Sequence, residues 1–569
     1  MDTNHTKPED GFKIVDFRGR HIDKSKTGTW KAAGHVYAMN FADFQAAIMV
    51  IINFVPYFAE RLHVPVSKAA TASNIFSGTS YMLTVVGGFI ADSYIGAYWT
   101  IAVGALIYAV GFGLLTFTVS YSGLQPEECI PSASSVCKQA GSKYMAPVYL
   151  AYYVMAVGIG AVRANIASFG ADQFDDNSNY YVWFYFTTQI AFLMSFVFGV
   201  YLVRDVSYGW GFGFSVIIFS LFTFYFLTGT PKYRHRVPAG SFLTRVAQVL
   251  VAAVRKSHVN VPEDTTQLFD APLAGSRKLK HSDKLRFLDN AAVLKQGVPN
   301  MNNPWELCGV SQVEETKRII QMLPIWVTTC CVTLVFSQLV TFTISQGATL
   351  DRRWGEHFEV PSASLPAIFT IISLLTVPVY DRLFVPLLRK YTKHPYGLSP
   401  LQRLGLSIIS AILLMCVAAL VERKRVTYVK DLGLEELPLG SYGLPMSMWW
   451  LVPQFFFASM VELFYYLSSY QFFYYEASDQ TKSIASSLTY SASAMGYYLS
   501  SALNNLVNST TRYEQGGSWL EGQLNNGGLA KFFWLLAIFL AVDFLFFLLA
   551  SYWYEYKFDW YHQDTPTED

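Results

Sequence analysis

Charged side chains are scarce in this sequence: Asp, Glu, Lys and Arg make up 15% of its 569 residues, against roughly 25% in soluble domains. One soluble core stops growing well before this length. The chain is therefore either a string of unusually apolar domains or a protein whose solvent is lipid. Charge of one sign does not accumulate either: the net charge is +1, so a nucleic-acid partner is not indicated. Of the six cysteines, Cys308, Cys330, Cys331 and Cys416 lack metal-ligand spacing. There is no G-x-S-x-G, no nucleotide-binding P-loop, no H-E-x-x-H and no Gly-rich dinucleotide turn. These absences point away from an enzyme, from a metal or organic cofactor, and from nucleotide-driven transport within this chain. Residues 1–31 are polar and lack the short apolar core and cleavage site of a signal peptide, so the first span is expected to act as its own insertion signal.

What the chain has instead is apolar runs, with 52% hydrophobic residues overall. A membrane-crossing helix needs roughly 20 mostly apolar residues. The runs 101–120, 145–166, 184–203, 212–227, 319–344, 365–383, 404–421, 446–473 and 532–552 qualify, and 32–58, 69–91 and 483–507 are weaker spans. The expectation is an all-α membrane protein with twelve transmembrane helices. One long polar interruption divides them six and six: an N-terminal segment 1–31, a first bundle 32–230, a linker 231–318, a second bundle 319–553 and a tail 554–569. That layout matches the major facilitator fold, in which the two halves are repeats and substrate binds near the midplane.

The linker is rich in Lys and Arg, which favours the cytoplasmic side. Both termini are then cytoplasmic, with the plasma membrane preferred over the vacuolar membrane. The charged group 422–425 falls on the outer side in this count and opposes it. Within the linker, 241–256 reads as an amphipathic helix, with Arg245, Arg255 and Lys256 either facing lipid headgroups or packed under the bundle. Cys129 and Cys137 lie in an outer loop, where a disulfide is expected to survive. Asn508-Ser509-Thr510 is a glycosylation sequon on that side.

Ionisable residues at membrane depth cost a few kcal/mol and normally face a cavity or a partner. Arg163, near the end of the fourth span, and Glu462, inside the tenth, stand out, one in each half. Paired across the midplane, they neutralise each other and break as the halves rock, with substrate or proton competing for either partner. The other reading is a permanent ion pair that locks two helices.

Phe169-Gly-Ala-Asp-Gln-Phe-Asp175, directly after the fourth span, resembles the signature of the proton-dependent oligopeptide transporter superfamily. Val15-Asp-Phe-Arg-Gly-Arg20, Gly87-Gly-Phe-Ile-Ala-Asp-Ser-Tyr94, Asn303-Pro-Trp-Glu-Leu-Cys308, Gln312-Val-Glu-Glu315 and Met495-Gly-Tyr-Tyr-Leu-Ser-Ser501 extend the likeness. Over about 14–557 the chain resembles the plant nitrate/peptide transporter family. The resemblance implies alternating access and import, usually proton-driven, of nitrate, peptides or plant metabolites including hormones. Arg163 takes the place of that family's basic residue on helix 4, and Glu462 that of its helix 10 acid.

The departures bear on mechanism. The family's helix 1 motif, E-x-x-E-R, falls on Asn40, Asp43 and Phe44, so proton coupling is left to Asp43 and Glu462 or lost. A histidine on helix 7 of the nitrate-binding member becomes Phe336, followed by Ser337 and Gln338. An aromatic ring there suits a larger organic acid whose carboxylate meets Arg163. The turn containing Asp92 is the family's gating loop, and its usual arginine is replaced by Ala97. Thr100 resembles a phosphorylated threonine of one relative. Pro65-Val-Ser-Lys-Ala-Ala70 and Ser486-Ser-Leu-Thr-Tyr490 resemble a branch that includes importers of abscisic acid and gibberellin. The expected function is secondary transport of a small anion, nitrate or such a carboxylate. A di- or tripeptide:proton symporter, and a sensor that has lost transport, are the alternatives.

Overall fold

The computed structural model describes residues 14–554 except 21, 24–26, 65, 127–138, 175–179, 239, 260, 263–266, 270–280, 295–302, 339–341, 356–357, 393–396, 435–442, 478–481, 512–517 and 521–527. Backbone amides and carbonyls have no water to bond to in hydrocarbon, so a lipid-facing chain satisfies them within helices. The first half contains α1 (Thr29–Glu60), α2 (Val66–Ile90), α3 (Ala97–Ser120), α4 (Ser142–Ala171), α5 (Tyr180–Met194, prolonged by a π-turn to Gly199) and α6 (Tyr208–Thr228). The linker forms α7 (Phe242–Arg255). The second half contains α8 (Val310–Gln338), α9 (Ile344–Thr349), α10 (Pro366–Val379), α11 (Val385–Thr392), α12 (Pro400–Asp431), α13 (Val452–Glu476), α14 (Lys482–Thr511) and α15 (Gly528–Trp553).

Ten of the described helical segments are long and apolar enough to cross a membrane. The twelve-span expectation rests for its last two members on α2 and α14, which are long but richer in Ser, Thr, Gly and Asn. Their polarity has a local cause. They pack against each other across the seam between the halves, where Asn74 donates to Ser501 at 3.3 Å and Ser487 to the Thr84 carbonyl at 2.9 Å. Small polar residues allow this close approach. On the outer helices the pattern inverts: Leu106, Phe224, Leu375 and Leu549 are all exposed, as a lipid-facing surface requires.

Two apolar cores follow the division into halves, one built mainly on α1–α6 and one on α8–α15. A third joins α7 (Val249, Ala252, Ala253) to Leu288, Ala291 and Ala292 and to Val313 at the start of α8. The helix at 310 therefore begins well before the apolar run at 319, because its first turns pack on the linker. Ser241 caps α7 by accepting from the Thr244 amide. Of the three α7 cations, Arg245 faces Glu315 at 3.8 Å, and Lys256 donates to the carbonyls of Ala291 and Val293. Arg245 thus ties α7 to the start of α8 and Lys256 ties it to the linker itself, while Leu243 and Val254 remain exposed. Two strands, β1 (Ile14–Val15) and β2 (His235–Arg236), pair antiparallel at the linker end of the first half.

The group 422–425 divides: Arg423 is exposed and Lys424 is half-buried over the Trp450 ring, while the other two turn inward. α12 runs on to Asp431, and Glu422 and Arg425 are buried, paired at 2.8 Å, with Gln346 of α9 donating to Glu422 at 2.7 Å. Their i, i+3 spacing on one helix makes the pair self-contained.

Candidate functional site

Arg163 projects from α4 into the first half and is 2% exposed. Its Nε donates to Asp43 Oδ2 of α1 at 2.8 Å. The guanidinium lies between two rings, 4.4 Å from the centroid of Phe44 and 5.3 Å from that of Tyr81, an arrangement that favours the cation. Its Nη2 finds no hydrogen-bond acceptor among the described residues, and Asp43 Oδ1 finds no donor there.

Glu462, on α13, reaches the other way. Its Oε2 accepts from Tyr185 Oη at 2.8 Å and from Gln189 Nε2 at 2.6 Å, both on α5. The cross-half pair of Arg163 with Glu462 is therefore not made in this conformation. The reason is register: Asp43 stands opposite Arg163 within the same half, so the cation is neutralised there, and Glu462 crosses the seam to neutral donors instead. Asp43, read as the remnant of a degraded motif, is the partner of the buried arginine.

A stacked aromatic wall adjoins this pair. The Tyr81 ring lies 6.0 Å from that of Tyr490 and 5.8 Å from that of Tyr497, both on α14. Tyr470 donates to the Tyr490 hydroxyl at 2.6 Å. Helices of both halves thus supply rings near one buried guanidinium.

The other expected residues are placed as follows. Gln338 is buried and donates to Ser500 Oγ at 2.7 Å and Asn504 at 3.3 Å on α14, so it ties two helices of its own half. Phe336 packs against the second-half core. Asp92 lies half-buried in the π-turn Ala91–Ile95, and Ala97 opens α3 directly after Gly96. In place of the missing arginine, Arg245 of α7 is within electrostatic reach of Asp92. Burial pulls that guanidinium below its ordinary range, and Glu315 and Asp92 oppose the shift. Thr100 is 3% exposed and donates to the Gly96 carbonyl at 2.9 Å, so its hydroxyl is turned into the helix, away from any kinase. Asn508 is half-buried in the last turns of α14 and accepts from Ser518 Oγ at 2.7 Å. Cys129 and Cys137 lie outside the described residues.

Three further groupings escaped the sequence reading. His281, Asp289 and Glu314 have metal-ligand geometry, but Lys317 Nζ sits 2.8 Å from both carboxylates and supplies the positive charge. Asp543, on α15, is buried beside Cys331; a lone aspartate in the run 532–552 was the signal. Tyr474 of α13 donates to Asp172 at 2.7 Å across the seam. A cavity of about 470 Å³, lined by Tyr57, Arg61, Tyr208 and Trp210, opens at the end of the first half opposite the linker, away from Arg163.

Residues 98–520 match the family model described as PTR2, POT family. Among curated proteins, the chain is 37% identical over 563 residues to Protein NRT1/PTR FAMILY 6.3 of Arabidopsis thaliana, covering 95% of this chain and 94% of that one. It is 37% identical over 573 residues to Protein NRT1/PTR FAMILY 8.1 of the same plant, covering 98% and 99%. Among solved structures, the POT family transporter PepTSo superposes with a TM-score of 0.61 at 18% identity, covering 92% of this chain and 98% of that one. A POT family transporter in complex with 5-aminolevulinic acid superposes at 0.55 with 12% identity, covering 92% and 97%. The matched family model, the full-length likeness to plant proteins and the superposed transporters agree: the chain belongs to the NRT1/PTR branch of the POT family, and is a multi-pass membrane transporter with that family's two-bundle fold.

Proposed function

We propose that this transporter carries a small organic carboxylate, of the ring-bearing kind represented by abscisic acid or gibberellin, together with a proton, by alternating access between its two halves. The observation that carries this reading is the state of Arg163: a fully buried guanidinium with one nitrogen lacking an acceptor, held by a single carboxylate. While Asp43 is ionised, the pair is neutral and gives an anion little reason to leave water. A proton on Asp43 cancels its charge and leaves Arg163 a net cation in a greasy site. A carboxylate then makes the strong charge-assisted hydrogen bonds that guanidinium favours. Proton and anion enter together, and their sum crosses without net charge, so the site does not carry an isolated ion through a medium of low polarity.

The aromatic wall of Tyr81, Tyr490 and Tyr497, and the apolar Phe336, favour a substrate with a ring over bare nitrate. The Lys- and Arg-rich linker supports cytoplasmic termini, and the plasma membrane is the proposed site.

The test is uptake in oocytes of labelled abscisic acid, gibberellin, nitrate and a dipeptide, each at an external pH of about 5.5 and about 7.5. The expected result is saturable carboxylate uptake, faster at the lower pH, lost in Arg163→Ala and nearly independent of pH in Asp43→Asn. Uptake of a carboxylate whose pH profile survives Asp43→Asn removes the coupling role of Asp43. Transport of nitrate or dipeptide alone removes the substrate assignment.

A further inference from the structure

The two halves are tied at three levels. At the end opposite the linker, Ser364 donates to the Phe196 carbonyl at 3.0 Å. At mid-depth, Glu462 accepts from Tyr185 and Gln189. At the linker end, Tyr474 of α13 donates to Asp172 Oδ1 at 2.7 Å. Asp172 stands at the C-terminal end of α4, inside the stretch Phe169 to Asp175 that the transport site leaves unused.

Asp172 has a second partner. Arg236 Nη2, in β2, lies 2.5 Å from the same Oδ1. A guanidinium at that distance fixes the carboxylate in direction, and a carboxylate acceptor strengthens the tyrosine hydrogen bond. The position of Arg236 is set in turn by what holds β2. Gln173 brackets Arg234 by accepting from its amide at 2.8 Å and donating to its carbonyl at 3.1 Å. On its other side β2 pairs with β1, in the register Ile14 with Arg236 and Val15 with His235.

The segment that provides β1 is preformed. Asp16 Oδ1 accepts from the amides of both Arg18 and Arg20 at 2.8 Å. Gly19 closes the turn at φ +77°, a backbone state that other residues rarely adopt. This accounts for Val15-Asp-Phe-Arg-Gly-Arg20, a stretch with no place in the membrane. Val15 is buried.

We infer that the N-terminal strand is a control element of the gate at the linker end: docked on β2, it positions Arg236 to hold Asp172, and Asp172 holds Tyr474 of the opposite half. Release of β1 frees Arg236, weakens the Tyr474 tie and shifts the transporter towards opening at that end. Arg236 acts here as a positioning residue, through its hold on Asp172.

The test needs no substrate, so its failure is separable from failure of the transport assignment. Nitroxide labels replace Tyr94 and Tyr391, exposed residues at the linker end of opposite halves, in full-length protein with its native cysteines replaced and held in lipid nanodiscs. Their distance distribution is read by pulsed electron resonance. Tyr474→Phe keeps the ring and removes only the hydroxyl. It is expected to raise the ratio of long to short distances about tenfold, the size of effect from losing one hydrogen bond to a charged group. Val15→Pro, which strand pairing does not tolerate, and removal of residues 1–22 are each expected to shift the ratio in the same direction. Val15→Pro adds nothing further once Arg236 is Gln, which a merely structural role for the strand does not predict. Unchanged distances in Tyr474→Phe, or full additivity of Val15→Pro with Arg236→Gln, overturn the inference.

Discussion

Asp43 and Arg163 meet at 2.8 Å with both side chains essentially sealed from solvent, so the most deeply buried charge of the first half is balanced inside that half. Removing one partner of such a pair leaves an uncompensated buried ion and typically costs about 3–5 kcal/mol, whereas removing both costs far less. Asp43→Asn and Arg163→Gln should each lower the thermal unfolding midpoint in detergent, and the double variant should recover most of the loss. Strict additivity of the two would mean that the charges are not coupled.

Glu462 is held by neutral donors, Tyr185 and Gln189, so its hydrogen bonds survive conversion to an amide whose carbonyl accepts in the same way. Glu462→Gln should keep the unfolding midpoint near that of the native protein while lowering net uptake at least tenfold. Glu462→Ala, which strands both donors across the seam, should also lose stability, by about 1–3 kcal/mol. If Glu462→Gln transports at the native rate in both directions, the acid is a structural acceptor only.

How much of this was legible in the sequence depends on the reach of each signal. The helices announced themselves because lipid demands long apolar runs, and α12 or α15 satisfy that demand on their own. α2 and α14 were weak for the same reason inverted: Asn74 and Ser501 bond to each other across a seam that no local window contains. Arg163 and Glu462 were identifiable as costly charges at membrane depth, but their partners were not, since pairing depends on rotation about helices. Asp43 stands out in the sequence as a candidate for proton coupling, but nothing in its local pattern names Arg163 as its partner. Tyr474 and Asp172 are 302 positions apart, and nothing in the spacing of either could have joined them.

Gly158 marks one close approach of α3 and α4. A Cβ there would stand 2.5 Å from the backbone nitrogen of Tyr108 and 2.6 Å from its Cα, and backbone cannot rotate away as a side chain can. Gly158→Ala should wedge the two helices apart at a cost of about 1–3 kcal/mol. Tyr108 donates to the Asp43 carbonyl, so the displacement should also reach the central pair. Measured unfolding midpoints and uptake should fall together. The contrasting Gly113→Ala, whose Cβ meets nothing within 4 Å, should leave both unchanged.

Cys308 offers a pH-dependent readout outside the membrane. It is buried in the linker core, where desolvation pushes its thiol up to about 11, with nearby Lys256 pulling modestly the other way. The thiolate is the reactive form, so at about pH 8 its labelling by a water-soluble maleimide should run about a hundredfold slower than that of an ordinary cysteine, from ionisation alone. The sign of the linkage follows. The folded state keeps the proton longer than the unfolded one, so this contribution to stability is complete below the unfolded value near 9 and declines as pH rises towards about 11. Unfolding midpoints of the native protein should drop over that interval, and those of Cys308→Ala should drop less. Site-resolved mass spectrometry of the labelled protein checks the first expectation. Rapid modification of Cys308 at neutral pH would show that the linker core opens on the timescale of labelling, and that α7 is not held to α8 as tightly as its buried contacts with Val313 imply.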